Sequence, residues 1–180
     1  AAGLIHRDIK PANLFITSSG GAKLADLGLA RATDAHEHTS MGVAIGTPAF
    51  MPPEQASGDI ALDVRTDIYS LGATLYALLT GRAPYLAPTL WAVIAKVLSA
   101  EEPADPRELG ARVSERTCAL LRRMMAKDRE QRPANIAEVI TEIESLLAVM
   151  PAWSRTTMVL PVDVPRSGGD ETIVGMDLRG

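Results

Sequence analysis

The residues with the most chemistry lie at the start of the chain, in His6-Arg7-Asp8-Ile9-Lys10-Pro11-Ala12-Asn13. Asp8 and Asn13 stand five residues apart, and Asp26 follows Asp8 by eighteen. Between them, Leu14-Phe15-Ile16-Thr17 reads as a short strand, Ser18-Ser19-Gly20-Gly21 as a turn and Ala22-Lys23-Leu24-Ala25 as the returning strand. Such a hairpin brings Asp26 back beside Asn13. The two then offer oxygen atoms to a hard cation, with Asp8 close by. Mg²⁺ is usually held by one or two protein oxygens plus substrate phosphates, so this sparse set suits it. Asp8 is left as a separate carboxylate to take or orient a hydroxyl proton.

Those groups need elements to hold them. Residues 26–54 show no lasting periodicity and read as one long loop, a length that is usually functional. Helices follow. The first runs from Asp67 to Thr80 and stops at Gly81, with Pro84 beyond it. Thr89 to Ser99 forms a second, with Trp91, Ile94, Val97 and Leu98 on helical spacing. Residues 101–109 hold two prolines and read as a connection. Ser114 caps a third helix reaching about Lys127. Asn135 caps a fourth, whose apolar stripe is Ile136, Val139, Ile140, Ile143, Leu146 and Leu147.

Composition narrows the classes. Apolar residues make up 47% of the 180, enough for a core, and charged residues 22%. A net charge of -4 excludes a chain that binds nucleic acid by its overall charge. Cys118 is the only cysteine, so no internal disulfide forms, and a reducing compartment, the cytoplasm, is expected. It reads as a small core hydrophobe rather than a nucleophile. The richest apolar run, Leu71 to Leu79, is too short to span a bilayer. His36 and His38 read as solvated loop residues rather than metal ligands.

Five segments in order resemble one family, the eukaryotic-like serine/threonine protein kinases in the Hanks-type form common in bacteria. His6 to Asn13 matches the H-R-D-x-K-x-x-N loop. Asp26-Leu27-Gly28 is similar to D-F-G, with Leu for Phe. Gly46-Thr47-Pro48-Ala49-Phe50-Met51-Pro52-Pro53-Glu54 is similar to G-T-P-x-Y-M-A-P-E, with Phe50 for Tyr and Pro52 for Ala. Asp67-Ile68-Tyr69-Ser70-Leu71-Gly72 and Arg132-Pro133 complete the set. One such motif carries little weight, but five in order carry much.

The resemblance implies an α+β, mainly α fold: a protein-kinase C-terminal lobe with a small β-hairpin over residues 1–150. It implies a disordered tail or linker over residues 151–180. It implies transfer of phosphate from ATP to serine and threonine hydroxyls of protein substrates, with Mg²⁺ and Mn²⁺ as its alternative. Asp8 would be the catalytic base, Lys10 would steady the transferred phosphoryl group and touch the nucleotide, and Thr47 would line the wall that receives the hydroxyl. Asn13 and Asp26 would hold the metal and, through it, the nucleotide. Glu54 and Arg132 would form a buried ion pair, and Asp67 would accept hydrogen bonds from the catalytic-loop backbone. Arg7 could pair with a phosphate added to Thr39 or Ser40, and the loop or the tail, at Thr156, Thr157 or Thr172, could be read by phosphothreonine-binding partners.

No G-x-G-x-x-G-x-V stretch and no V-A-I-K stretch occurs in the 180 residues. The N-terminal lobe is therefore expected to be absent, the chain to be a fragment of a longer product, and residues 1–180 alone to be inactive. Two other classes compete: a non-catalytic pseudokinase or scaffold, and a small-molecule kinase of related fold. Intact Asp8, Lys10, Asn13 and Asp26 argue against the first, and the Lys10 and Gly46-Thr47-Pro48 pattern against the second.

Overall fold

The computed structural model describes residues 5–17, 20–25 and 48–149. Within them lie two strands, β1 (Leu14–Ile16) and β2 (Ala22–Leu24), and five helices. These are α1 (Pro53–Ala56), α2 (Val64–Thr80), α3 (Leu90–Leu98), α4 (Glu115–Met124) and α5 (Ile136–Ala148). Single 3₁₀ turns occupy Pro11–Asn13, Pro48–Phe50 and Arg129–Gln131. The mainly helical character and the small hairpin are those expected from the sequence.

Helix α2 is the axis of the fold. Its N-cap Asp63 accepts from the Arg65 amide at 2.8 Å, and Gly81, at φ +70, ends it by donating to Ala77 O. It serves two apolar clusters from opposite sides. Tyr69, Ala73, Tyr76 and Ala77 pack with Phe50, Tyr85, Val93, Val97 and Met125. Ile68 packs with Leu120, Met124, Val139 and Leu146. Gly72 marks the closest approach: a methyl group there would meet Met124 Cβ at 2.8 Å. The absent side chain is what lets α4 lie against α2.

The local reasons for the other ends were visible in the sequence. Thr89, Ser114 and Asn135 each cap their helix, accepting from Ala92, Thr117 and Glu138 amides at 3.2, 3.1 and 3.1 Å. Cys118 is buried, and its thiol lies 3.6 Å from Asp105 Oδ1. Burial and that carboxylate push the thiol's pKa up, so the residue is an unreactive part of the packing.

Four expectations are corrected. Helix α2 begins at Val64 rather than Asp67, because a polar first turn is held by the Asp63 cap where no apolar pattern shows. The stretch before Glu54 is not loop throughout: Pro48–Phe50 is a 3₁₀ turn, and α1 starts at Pro53, where a proline fits a first helical turn. Helix α4 stops at Met124, short of Lys127, because the carbonyls of Ala126 and Lys127 turn to meet the Arg132 guanidinium. The apolar stripes of α3 and α5 are narrower than the spacing suggests. Val93 and Val97 are the buried residues of α3 while Trp91 is 76% exposed, and only Val139 and Leu146 are buried on α5. Ile143 packs partly buried against the same cluster as Val139 and Leu146, while Leu98, Ile136, Ile140 and Leu147 are exposed.

Candidate functional site

The loop before β1 is shaped by a residue sixty positions away. Asp67, in the first turn of α2, accepts from the His6 amide through Oδ2 at 2.8 Å and from the Arg7 amide through Oδ1 at 2.9 Å. Its structural role is the one expected. Arg7 itself has φ +67, the only non-glycine residue with a positive φ among the described residues. A left-handed residue without glycine's freedom is strained, and it persists where its surroundings over-determine it.

The turn at Arg7 presents Asp8. Lys10 Nζ lies 3.0 Å from Asp8 Oδ1 and 2.9 Å from Oδ2, and both side chains are largely shielded from solvent. Pro11 opens the 3₁₀ turn that carries Asn13 inward. The Asn13 amide nitrogen donates to Asp8 O at 2.8 Å and to Asp8 Oδ2 at 3.0 Å. Two oxygen partners fix which end of the amide is nitrogen. The acceptor end, Oδ1, is thereby left to other partners, and a carbonyl oxygen on a buried side chain is a ligand type that suits Mg²⁺. The chemistry of the donor set fits a hard cation to this extent.

The hairpin then returns the chain. Strands β1 and β2 are antiparallel, pairing Leu14 with Leu24, Phe15 with Lys23 and Ile16 with Ala22. Past the last pair, Ala25 donates its N–H to Asn13 O at 2.9 Å. The chain on the Ala25 side is thus tied to Asn13. Asp26 and Thr47 lie outside the described residues, as do His36, His38, Thr39, Ser40 and the Asp26-Leu27-Gly28 motif. His6 is buried, with neither ring nitrogen hydrogen-bonded among the described residues, in keeping with a packed residue.

A second anchor holds the far wall. Arg132 meets Glu54 in a two-pronged pair at 2.7 and 2.8 Å. Its other N–H groups go to Ala126 O, Arg65 O and Lys127 O at 2.8, 3.0 and 3.2 Å, so each of the five guanidinium hydrogens has an acceptor. The Tyr69 ring lies 4.9 Å from the guanidinium carbon. Burial pushes the Glu54 carboxyl up, but the bonds and charge of Arg132, with its own backbone and Thr66, outweigh that and hold it below the usual carboxylate value. The pair fixes α1, and α1 carries a residue that the sequence reading passed over. Gln55 Nε2 donates to Arg7 O at 3.1 Å. Nothing in the sequence marks a glutamine after a glutamate as special, and only the tertiary contact shows it.

Asp8, Lys10 and Asn13 are thus brought together, on a loop clamped by Asp67 from α2 and Gln55 from α1. The Asp8 carboxylate is flanked there by the Lys10 ammonium and the Asn13 amide. The family model of the protein kinase domain matches residues 1–144, and the chain belongs to that family. It is similar to serine/threonine-protein kinase PknB of Mycobacterium leprae, at 37% identity over 142 residues, covering 78% of this chain and 22% of that one. It is also similar to PknB of Mycolicibacterium smegmatis, at 33% over 189 residues, covering 93% and 30%. PknL of Mycobacterium tuberculosis is 45% identical over 102 residues, covering 57% and 25%. The chain spans less than a third of the length of each of these relatives.

Proposed function

We propose that this chain forms the C-terminal lobe of a serine/threonine protein kinase, with the lobe over residues 1–150 and a tail or linker over 151–180. The observation that carries the reading is the Asp8 carboxylate, held between Lys10 Nζ and Asn13 Nδ2 on a loop tied to α2 by Asp67. The relatives named as serine/threonine-protein kinases support the substrate class. In this reading Asp8 accepts or orients the proton of a protein Ser or Thr hydroxyl. Lys10, already against Asp8, holds that carboxylate in place and offers its ammonium to the anionic group in transfer. Asn13 and Asp26 would hold Mg²⁺, or Mn²⁺ in its place, which when bound neutralises charge on the phosphates of ATP. Thr47 would line the wall that receives the hydroxyl. Phosphothreonine-reading proteins are partners in the same reading, and a cytoplasmic site of action follows from it. Among the described residues no helix is long and apolar enough to cross a membrane.

Positioning is most of the work in phosphoryl transfer, and the 180 residues carry no glycine-rich phosphate loop. Residues 1–180 alone are therefore expected to be silent. The test is transfer of labelled phosphate from ATP to a generic basic protein, by the complete gene product and by residues 1–180. Asp8→Asn in the complete product should lower the rate by about 10²–10⁴-fold, the usual worth of a positioned acid or base. Full activity in that variant, or none in the wild type with either metal, would refute the reading.

A further inference from the structure

The Arg7–Asp8 peptide is held at more points than its neighbours need for local structure alone. Arg7 is in the left-handed region at φ +67, a strained conformation for a side-chain-bearing residue. Its N–H is taken by Asp67 Oδ1 at 2.9 Å. Its carbonyl is taken by Gln55 Nε2 at 3.1 Å, from a helix forty-eight residues away in sequence. That carbonyl belongs to the same peptide plane as the Asp8 nitrogen. Fixing the oxygen therefore fixes the direction in which the chain enters Asp8.

A second observation concerns the other end of the same amide. Gln55 Oε1 is buried, and no hydrogen-bond partner meets it among the described residues. A buried acceptor without a donor penalises folding, and such groups in native proteins call for a reason. Turning the amide over would not relieve it, because Oε1 would then face the Arg7 carbonyl oxygen. The amide is thereby set with its donor on Arg7. A leucine of similar bulk would remove that penalty and would fill the same volume.

The platform under Gln55 is rigid. Its neighbour Glu54 is locked to Arg132, whose side chain is 0% exposed. Gln55 thus ties a fixed helix to the peptide that carries Asp8, and a small cavity of about 20 Å³ between Gln55, Met51, Ser70 and Asp8 keeps the two walls apart only slightly.

We propose that Gln55 is a positioning residue for Asp8: its amide donor and the Asp67 carboxylate together keep the Arg7–Asp8 peptide in the left-handed turn from which Asp8 meets Lys10 and Asn13. The inference rests on the reading of Asp8 as the catalytic carboxylate. Gln55 touches no reacting atom and acts through Arg7.

The test uses the complete gene product in three forms: wild type, Gln55→Leu and Gln55→Glu. Gln55→Leu is expected to lower kcat about three- to tenfold, where tenfold equals about 1.4 kcal/mol, with KM for ATP unchanged. Its melting temperature should stay level, since a leucine of similar bulk fills the same volume. A merely structural glutamine would give the reverse, a lower melting temperature with kcat kept. Gln55→Glu carries the pH signature. Ionised, it sets two acceptors face to face; protonated, it donates to Arg7 O as the amide does. Its kcat relative to wild type should therefore climb as pH falls, while that of Gln55→Leu stays flat. Independently of activity, the Arg7 carbonyl-carbon resonance should move in Gln55→Leu and not in an exposed control, Gln131→Leu. An active wild type with unchanged kcat in Gln55→Leu and a flat profile in Gln55→Glu would overturn the inference and leave the kinase reading standing. An inactive wild type would overturn the kinase reading and with it the catalytic part of this one, while the resonance would still decide whether Gln55 holds the Arg7 carbonyl.

Discussion

Neutralising Glu54 as Glu54→Gln leaves a full guanidinium charge at a site where the Arg132 side chain is 0% exposed and Glu54 is 10% exposed. Three of the five Arg132 hydrogens still have their carbonyl acceptors at Ala126, Arg65 and Lys127. The two that lose the carboxylate were short, at 2.7 and 2.8 Å. A hydrogen bond to a charged group is worth about 1.5–3 kcal/mol, so two of them set a loss of roughly 3–6 kcal/mol. Breaking one side of a buried pair costs about 3–5 kcal/mol by direct comparison, and the two figures agree. Against a domain stability of about 5–15 kcal/mol this is a large fraction. Arg132→Met should cost at least as much, since it also strands three carbonyls. The double variant should cost about 2–3 kcal/mol less than the sum of the two, because neither charge is then left alone. The sign with pH follows from the lowered Glu54 carboxyl: its contribution is full above the ordinary value of 4.5 and is lost as pH falls through the lower value of the folded state. Urea unfolding followed by far-ultraviolet circular dichroism, at neutral and acid pH, measures all of this. A cost below about 1 kcal/mol for Glu54→Gln, the level of a surface pair, would refute the reasoning, as would strict additivity in the double variant.

Two further predictions concern the packing around α2 and the end of α3. Gly72→Ala puts a methyl 2.8 Å from Met124 Cβ and 3.1 Å from Met125 Cγ, with helix α4 unable to withdraw without opening the core, so urea unfolding should show a loss of about 1–3 kcal/mol. Lys127 Nζ donates to Lys96 O and Val97 O at 3.0 and 2.8 Å, 4.3 Å from the centre of the Tyr85 ring, and burial lowers its pKa to about 8 against the partial support of Glu101 and Glu102. Below about 8 the folded state carries that charge at a penalty, and between about 8 and 10.5 the unfolded chain holds more protons, so the wild type should gain stability over Lys127→Met as pH rises through that window. The partly buried ammonium, already met by two backbone carbonyls, limits the gain to about 1 kcal/mol, and a difference that is flat or falls with pH would count against it.

Much of the site could be read in the residues themselves. Asp8, Lys10 and Asn13 fall within six residues, where chain connectivity alone keeps them near one another, and a strand–turn–strand signal between Asn13 and Ala25 was enough to foresee the hairpin. Two helix caps were legible for the same reason: Ser114 and Asn135 act on amides three residues away. The Glu54–Arg132 and Asp67 contacts were foreseen only through resemblance, because nothing in local chemistry joins residues seventy-eight or sixty positions apart.

The sequence by itself determined much of the local conformation and the chemical set: which short segments turn, where the caps Ser114 and Asn135 begin a helix, and which carboxylate, ammonium and amide could act together. Tertiary structure alone decided what holds them. Arg7 enters a strained turn because Asp67 takes its N–H and Gln55 its carbonyl, two contacts made by side chains of ordinary type from distant helices. It also decided which apolar residues became core, since the width of a buried stripe depends on how many neighbours a helix meets. Periodicity states what a helix can bury; only packing against a particular partner settles what it does bury.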